Sequence, residues 1–427
     1  MLDKNLFLHD LAIVAILKNE GAYLKEWLDY HLAAGVEHFY LYDNDSTDNQ
    51  AEVAKPYVEA GLVDYILFHG KAMQYVAYND AVKNFKFLNR YMAFIDLDEF
   101  IFPKNTTGTI SEVVDKILSD NPKAAGLGIN WQIFGSNGQD KADYSRGVLE
   151  RFIRRAPSDW FMGSATNVKG GNVLTKSVVN PRHIYYMWGP HEVLCLEGFM
   201  TLNEKGEKVS RGLIYPVCTE KIVVNHYYTK SFEEFMEKKT PRGWPCPGKI
   251  PYSHEQFIAN DRNEVFDDDI LKYRTIRTKN FFLESADEKF SRVTEILVET
   301  LSRTEISLET ALTCRALSTY LREHFPNEAD YWKICEVASF GAILKSLNGI
   351  NIADAQLFIR ELPNLLRLPY PVVEELRRAC LQIIQQTMEY LRLHDKWKKF
   401  FEMDYIQDLL RLTIKSQAKS KKDSPVL

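Results

Sequence analysis

No two cysteines in this chain stand at CxxC spacing. Cys195, Cys218, Cys246, Cys314, Cys335 and Cys380 are scattered through 427 residues. This excludes a dense disulfide framework and a cysteine zinc site, and leaves ordinary reduced thiols. No apolar run approaches the roughly 20 residues needed to cross a bilayer. The opening stretch, MLDKNLFLHDLAIVAILKNE, carries Asp3 and Asp10 and lacks a secretory signal layout, so a cytoplasmic protein is expected. Basic residues are not in excess either. Lys and Arg number 53 against 58 Asp and Glu, a net charge of -5, which gives no footprint for nucleic acid. Only the tail KSQAKSKKD is locally basic; it reads as a solvated tail, with peripheral contact at the inner membrane face as the sharper alternative. No short internal repeat is evident.

The first 100 residues instead alternate between two periods. LAIVAIL, residues 11–17, is apolar throughout, as a parallel strand buried on both faces should be. After KNEG, Leu24, Trp27, Leu28, His31 and Leu32 recur at helical spacing, and Gly35 is placed to end that helix. Strand HFYLYDND, helix EVAKPYVEAG, strand VDYILF, a helix over 72–87 and strand YMAFIDLDEF follow. This predicts a doubly wound α/β fold with a mostly parallel sheet. GLGINWQIF, NVLTKSVV and EKIVVNHYY read as further strands. Residues 284–427 read as helical, with LREHF, RRACLQIIQQTMEYLRL and MDYIQDLLRLTI amphipathic. The expected division is 1–250 for the α/β domain, 251–283 for a linker and 284–427 for a helical domain.

Ligands of such sheets bind beyond the carboxyl ends of the strands. The clusters KNEG, DNDS and DLDE each stand at one of those ends. In YMAFIDLDEFIFP, residues 91–103, an apolar strand runs into Asp96, Asp98 and Glu99. Two carboxylates at i and i+2 on a strand share a side. With a following glutamate they can hold a hard divalent cation such as Mg²⁺ or Mn²⁺. Such an ion would balance the charge of a departing nucleoside diphosphate. The competing reading is a strand cap paired with nearby Lys or Arg. For DNDSTD the competing reading is a helix N-cap by Asp45 or Ser46.

ILKNEGAYLKEWLDYHLAAGVEHFYLYDNDSTD followed by IDLDEFIFP resembles the nucleotide-binding half of GT-A glycosyltransferases. Glycosyltransferase family 92 and its bacterial family-2-like relatives are the nearer likeness. WQIFGSNG, GVLERF, KSVVNP and VVNHYYTKSFEEF continue it in order, over residues 11 to about 243. The resemblance implies a metal-dependent transfer of a hexose from a UDP-sugar, such as UDP-galactose or UDP-glucose, to a glycan or lipid-linked glycan. Bacterial surface polysaccharide synthesis is the setting it suggests. Lys18, Asn19 and Glu20 would lie near the uracil and ribose, and Asp43 and Asn44 would bond base or ribose. Gln74, Asn79 and Asp80 would face the donor. Asp96 and Asp98 would be the DxD pair, Asp98 the direct ligand, and Glu99 would hold a water or the donor sugar. His226, ending KIVVNH, would supply a further metal ligand, and His191 in WGPHEV competes for that part or lines the acceptor side.

An inverting transfer needs a carboxylate to take the acceptor's proton. Asp140, Glu150 and Glu192 are the candidates. Glu150 could equally pair with Arg151, Arg154 or Arg155, and Glu192 could support His191. Trp131 is either an aromatic platform for a sugar ring or a buried side chain. Two other functions compete: a DxD-dependent phosphoryl-transfer enzyme, and a sugar-nucleotide or glycan-binding module without turnover. The position of the acids after the fourth strand speaks against the first, and the intact DLDE against the second.

Overall fold

The structure is a computed structural model that describes residues 3–164, 167–239, 252–279, 284–347 and 350–365. Cys246, Cys380, the amphipathic segments RRACLQIIQQTMEYLRL and MDYIQDLLRLTI and the basic tail lie outside the described residues. No helix among the described residues is long and apolar enough to cross a membrane.

The chain divides into two units. One comprises Phe7–Cys195 with Phe199–Val293; the other runs from Thr294 onward and includes Met1–Leu6 and Leu196–Gly198. The first holds a nine-stranded sheet. Its elements begin β1 (His9–Leu17), α1 (Gly21–Ala33), β2 (His38–Asp43), α2 (Gln50–Glu59), β3 (Val63–Leu67), α3 (Gln74–Phe85) and β4 (Asn89–Phe94). They continue with β5 (Glu99–Pro103), α4 (Ile110–Leu118), β6 (Ala124–Ile133), β7 (Thr175–Val179), β8 (Met200–Leu202) and β9 (Ile222–His226). The strand order is β3-β2-β1-β4-β7-β6-β9-β5, with β8 paired to β6.

The apolar run of β1 lies between β2 and β4, parallel to both, and Leu11 to Leu17 are all buried. Helix α1 covers one face with Leu24, Trp27, Leu28 and Leu32. It ends where expected: Gly35 takes φ +95, and the Gly35 and Val36 amides bond the carbonyls of Leu32 and His31. A left-handed residue lets the chain reverse there while satisfying the last carbonyls.

Two expectations give way. YMAFIDLDEF is not one strand. β4 stops at Phe94 and β5 starts at Glu99, with Asp96–Asp98 in the turn between them, and three other strands separate the two in the sheet. The i, i+2 argument for a shared strand face therefore does not apply to Asp96 and Asp98. Nor is 251–283 a linker. Its helix Asp269–Lys279 puts Ile270 and Tyr273 into the core of the α/β unit, and Val265–Phe266 pairs with Arg154–Arg155. Asp267 pairs with Arg155 at 2.6 Å. Apolar residues inside a polar stretch, at 270 and 273, are what make this segment part of the fold, and the boundary falls near Val293.

In the second unit, helices Leu308–His324 and Ala329–Ser346 are joined by one turn of 3-10 helix, Pro326–Glu328. Leu312, Leu317 and Leu321 of the first and Trp332, Phe340 and Ile343 of the second are buried.

Candidate active site

Register places the chemistry on one edge of the sheet. Parallel β1, β2 and β4 all end there. β7 runs antiparallel to β4 and β6, so its first residues reach the same edge: Ser177 is level with Phe94, and Lys176 with Ile129. β9 runs parallel to β6, with His226 level with Ile133, and antiparallel to β5, with His226 level with Glu99. The Asp96–Glu99 turn, Lys176, Trp131 and His226 are thus brought together from residues 130 positions apart.

The turn is tightly bonded. The Glu99 amide bonds the Asp96 carbonyl at 3.1 Å, and the Asp96 amide donates to Glu99 Oε2 at 2.9 Å. Lys176 Nζ lies 2.8 Å from Asp96 Oδ2 and 3.2 Å from Glu99 Oε2. Gln74 Nε2 donates to Asp96 Oδ1 at 2.8 Å, and the Tyr78 hydroxyl donates to the same oxygen at 3.3 Å. Lys176 and Glu99 are shut off from solvent, at 1% and 0% side-chain exposure, while Asp96 keeps 32%. Burial pushes the Asp96 carboxyl up, and the Lys176 ammonium outweighs it, leaving the group below its ordinary value. Burial pushes Glu99 well up, and there Lys176 offsets only part of it. Burial lowers the Lys176 ammonium and the carboxylates of Asp96 and Glu99 raise it further, so it stays charged.

Beside this group, His226 Nε2 is 3.5 Å from Asp98 Oδ1, and His226 Nδ1 is 3.9 Å from Glu99 Oε1. The Trp131 ring lies 4.3 Å from the His226 ring and 4.7 Å from the His191 ring, centre to centre, and Lys176 Nζ is 6.0 Å from its centroid. Trp131 is 8% exposed, so it is the buried side chain rather than an open platform. His191 bonds the Thr175 carbonyl through Nδ1 at 2.8 Å, and burial, aided by the Lys176 charge, takes its pKa down to about 3. Gln74 Oε1, Glu99 Oε1, Trp131 Nε1 and Thr175 Oγ1 are buried without a hydrogen-bond partner among the described residues. An unmet buried polar atom costs about 1–3 kcal/mol, and four around one turn are hydrogen-bonding capacity that makes the turn a candidate ligand site.

The metal expectation divides. Asp98 and His226 offer an oxygen and an imidazole nitrogen at a separation that neighbouring ligands of one ion can adopt, and these donors suit Mn²⁺ or Mg²⁺. Asp96 is turned to Lys176, Gln74 and Tyr78 instead. Among the described residues no three His, Cys, Asp or Glu side chains converge on one ion. The residues fit a divalent ion as a two-donor site, not as the expected trio.

The donor-side clusters are stitched to each other. The Asn19 amide donates to Ser46 Oγ at 3.0 Å, the Thr47 amide to Asn19 Oδ1 at 2.7 Å, and the Glu20 amide to Gln50 Oε1 at 2.9 Å. Asn19 sits at φ +56, which asparagine tolerates. Asp43 is 7% exposed and accepts from the Ser46 amide and the Tyr65 hydroxyl, both at 2.9 Å. Asn44 donates to the carbonyls of Phe68 and Gly70. Asp43 and Asn44 are thus spent on shaping the loop. The cap of α2 is Asn49, not Asp45 or Ser46. Asn79 pins Met187 and Asp80 takes the Tyr42 hydroxyl, so of the three expected α3 residues Gln74 alone enters the acidic group, joined there by Tyr78 of the same helix. Lys18 and Glu20 flank Asn19 just past β1, with Glu20 buried.

The base candidates stand apart. Glu150 pairs with Arg274 at 2.9 Å, whereas Arg151 pairs with Glu234. Asp140 is an exposed loop residue whose carbonyl accepts from the Glu233 amide at 2.9 Å. The Glu192 carbonyl accepts from the Trp188 amide at 3.0 Å, in the turn that also carries His191. Among the described residues no hydrogen bond or ion pair joins any of the three to Asp96 or Glu99. Lys176 and Tyr78 were not anticipated. Lys176 could have been found as the lone cation inside the apolar strand NVLTKSVV, a residue that needs an acidic partner if buried.

Residues 14–246 match the model of glycosyltransferase family 92. A family 92 protein of Ricinus communis is 24% identical over 231 residues, 54% of this chain and 37% of that protein. A galactan β-1,4-galactosyltransferase of Arabidopsis thaliana is 34% identical over 89 residues, 18% of this chain and 17% of that protein. The chain thus spans little more than a third of the length of the first relative. The crystal structure of S. aureus TarS, residues 1–349, covers 90% of this chain and 92% of that one at 14% identity and TM-score 0.27, a likeness too slight to carry weight. The α/β sheet with its acidic turn at the carboxyl edge agrees with the GT-A class, and with a family match over more than half its length the chain belongs to glycosyltransferase family 92.

Proposed function

We propose that the protein transfers a hexose from a UDP-sugar to a glycan or lipid-linked glycan acceptor, with inversion at the anomeric carbon. The observation that carries the reading is the bonded Asp96–Glu99 turn beside Asp98 and His226, at the edge of the sheet where nucleotide ligands bind. Family membership supports glycosyl transfer, and the galactan galactosyltransferase among the relatives supports a galactose donor.

In this reading the loops at 18–21 and 43–48 form the nucleotide wall. Asp96, fixed by Lys176, Gln74 and Tyr78, offers its solvent-facing carboxylate to donor hydroxyls. A divalent ion held by Asp98 and His226 would supply counter-charge to the leaving diphosphate. The acceptor hydroxyl attacks the anomeric carbon, the bond to the diphosphate breaks, and a carboxylate takes the hydroxyl's proton. Glu192 is the proposed base, since its turn also holds His191 against Trp131; Glu150 is committed to Arg274.

The test is a panel of nucleotide sugars, each with and without Mn²⁺, read as thermal stabilisation and as released nucleoside diphosphate. Ligand at 100 times Kd should stabilise by about 2.7 kcal/mol. UDP-hexoses with Mn²⁺ should stand out; equal stabilisation by all nucleotides, without turnover, would favour a binding module.

A further inference from the structure

We propose that Lys176 is a positioning residue that takes Asp96 out of metal binding, so that the acidic turn presents Asp98 alone to an ion. The proposal rests on the metal-dependent reading above. The geometry begins with register. β4 ends at Phe94, level with Ser177, so the next residue toward the start of β7, Lys176, lies beside the chain as it turns into Asp96. The side chain at 176 reaches the turn, and here it ends in an ammonium.

An ammonium has three N–H donors and no acceptor. Lys176 directs itself at Asp96 Oδ2, 2.8 Å away, and Glu99 Oε2, 3.2 Å away, and lies over the Trp131 ring. The other Asp96 oxygen is held by Gln74 and Tyr78. Both Asp96 oxygens therefore have donors from side chains that are themselves buried: Gln74 at 3%, Tyr78 at 0% and Lys176 at 1% exposure. An ion seeking Asp96 would have to compete with a buried ammonium for that carboxylate, leaving Lys176 with Glu99 as its one remaining acidic partner on the turn, which is unfavourable. Asp98 Oδ1, by contrast, lies 3.5 Å from His226 Nε2. Lys176 is thus a fixed cation that serves one side of the turn and leaves the other to a mobile one.

The experiment is Mn²⁺ titration of the full chain with UDP present, followed by the electron paramagnetic resonance of free Mn²⁺. The wild type should bind one ion. Asp98→Asn and His226→Gln should each weaken binding by about tenfold or more, while Asp96→Asn stays within about threefold of the wild type. Lys176→Met, which frees Asp96, should tighten Mn²⁺ by about tenfold or more, and Lys176→Arg, which keeps the charge, should behave as the wild type. A purely structural lysine would not move metal affinity in that direction. If Asp96→Asn weakens Mn²⁺ as much as Asp98→Asn does, or folded Lys176→Met binds no tighter, the proposal is overturned. Should Lys176→Met fail to fold, the Asp96→Asn result decides by itself. If the wild type with UDP binds no Mn²⁺, the metal-dependent reading fails, an outcome distinct from failure of the lysine's role.

Discussion

Two acidic clusters stand at the same edge of this sheet, and they are used in opposite ways. In DNDSTD, Asp43 and Asp48 accept from the Ser46, Gln50 and Gly21 amides, Asp43 also from Tyr65, and Asn44 donates to the Phe68 and Gly70 carbonyls, so the cluster is satisfied mostly by the backbone of the loops around it. In DLDE, the partner of the acids comes from 80 residues downstream, and buried polar atoms with no bond lie around it. Local hydrogen bonds can be satisfied by a loop's own backbone, which is why Asx-rich loops are common and are seldom sites by themselves. Acids that need a buried lysine from another strand have been assembled by the whole fold. That difference, rather than the count of carboxylates, makes the second cluster the candidate site.

The largest expected effect breaks the second cluster. Lys176→Met leaves Glu99 buried without its cation, which should destabilise the α/β unit by about 3–5 kcal/mol in urea denaturation and abolish turnover. Smaller in stability but large in activity is Asp98→Asn. Asp98 is 16% exposed, so the variant should fold normally and lose about 10²–10³ in kcat. The first cluster should respond the other way. Asp43→Ala removes the acceptor for Ser46 and Tyr65, costing about 1–3 kcal/mol of stability, with weaker UDP binding as a consequence of the loosened loop. A variant that kept its stability but lost UDP would instead make Asp43 a direct ligand contact and erase the contrast.

Acidification should act first through buried histidines, His191 beside the acidic turn and His31 in the core, rather than through the carboxylates. His31 is wholly buried, donates Nδ1–H to the Trp27 carbonyl and accepts from the Ile101 amide, and burial takes its pKa from 6.5 to about 3. Between those values the unfolded chain binds a proton that the folded chain does not. Stability is therefore full above pH 6.5 and falls as pH drops toward 3, by about 1.4 kcal/mol per unit for this residue. Thermal melts from pH 7 to 5 should show the slope, and His31→Gln should flatten it by about that share. Smallest of all is Glu150→Gln, which breaks an exposed pair with Arg274 and should cost about 0–1 kcal/mol with turnover retained.

Much of the sheet was legible because its strands are written in unbroken apolar runs. LAIVAIL, HFYLYD and IVVNH each sit where their composition put them, and Gly35 ends α1 as its position implied. The acidic stretch was read as one strand because YMAFI and FIF are both strand-like. Local composition cannot reveal that the two halves pair with different neighbours. The same limit hid Lys176, whose meaning depends on which strand lies beside β4, and gave 251–283 to a linker when its few apolar residues are core. The place of His226 at the end of an apolar strand was legible; the base was not, since an exposed carboxylate on a loop looks alike whether or not it does chemistry.

In the proposed function the acidic turn is the catalytic floor of a UDP-sugar transferase. Released UDP from UDP-galactose and UDP-glucose, measured with Mn²⁺ for the wild type and Asp98→Asn side by side, tests it most directly. The account predicts Mn²⁺-dependent release by the wild type and a loss of about 10²–10³ in a folded Asp98→Asn protein. Equal release by both proteins would contradict it.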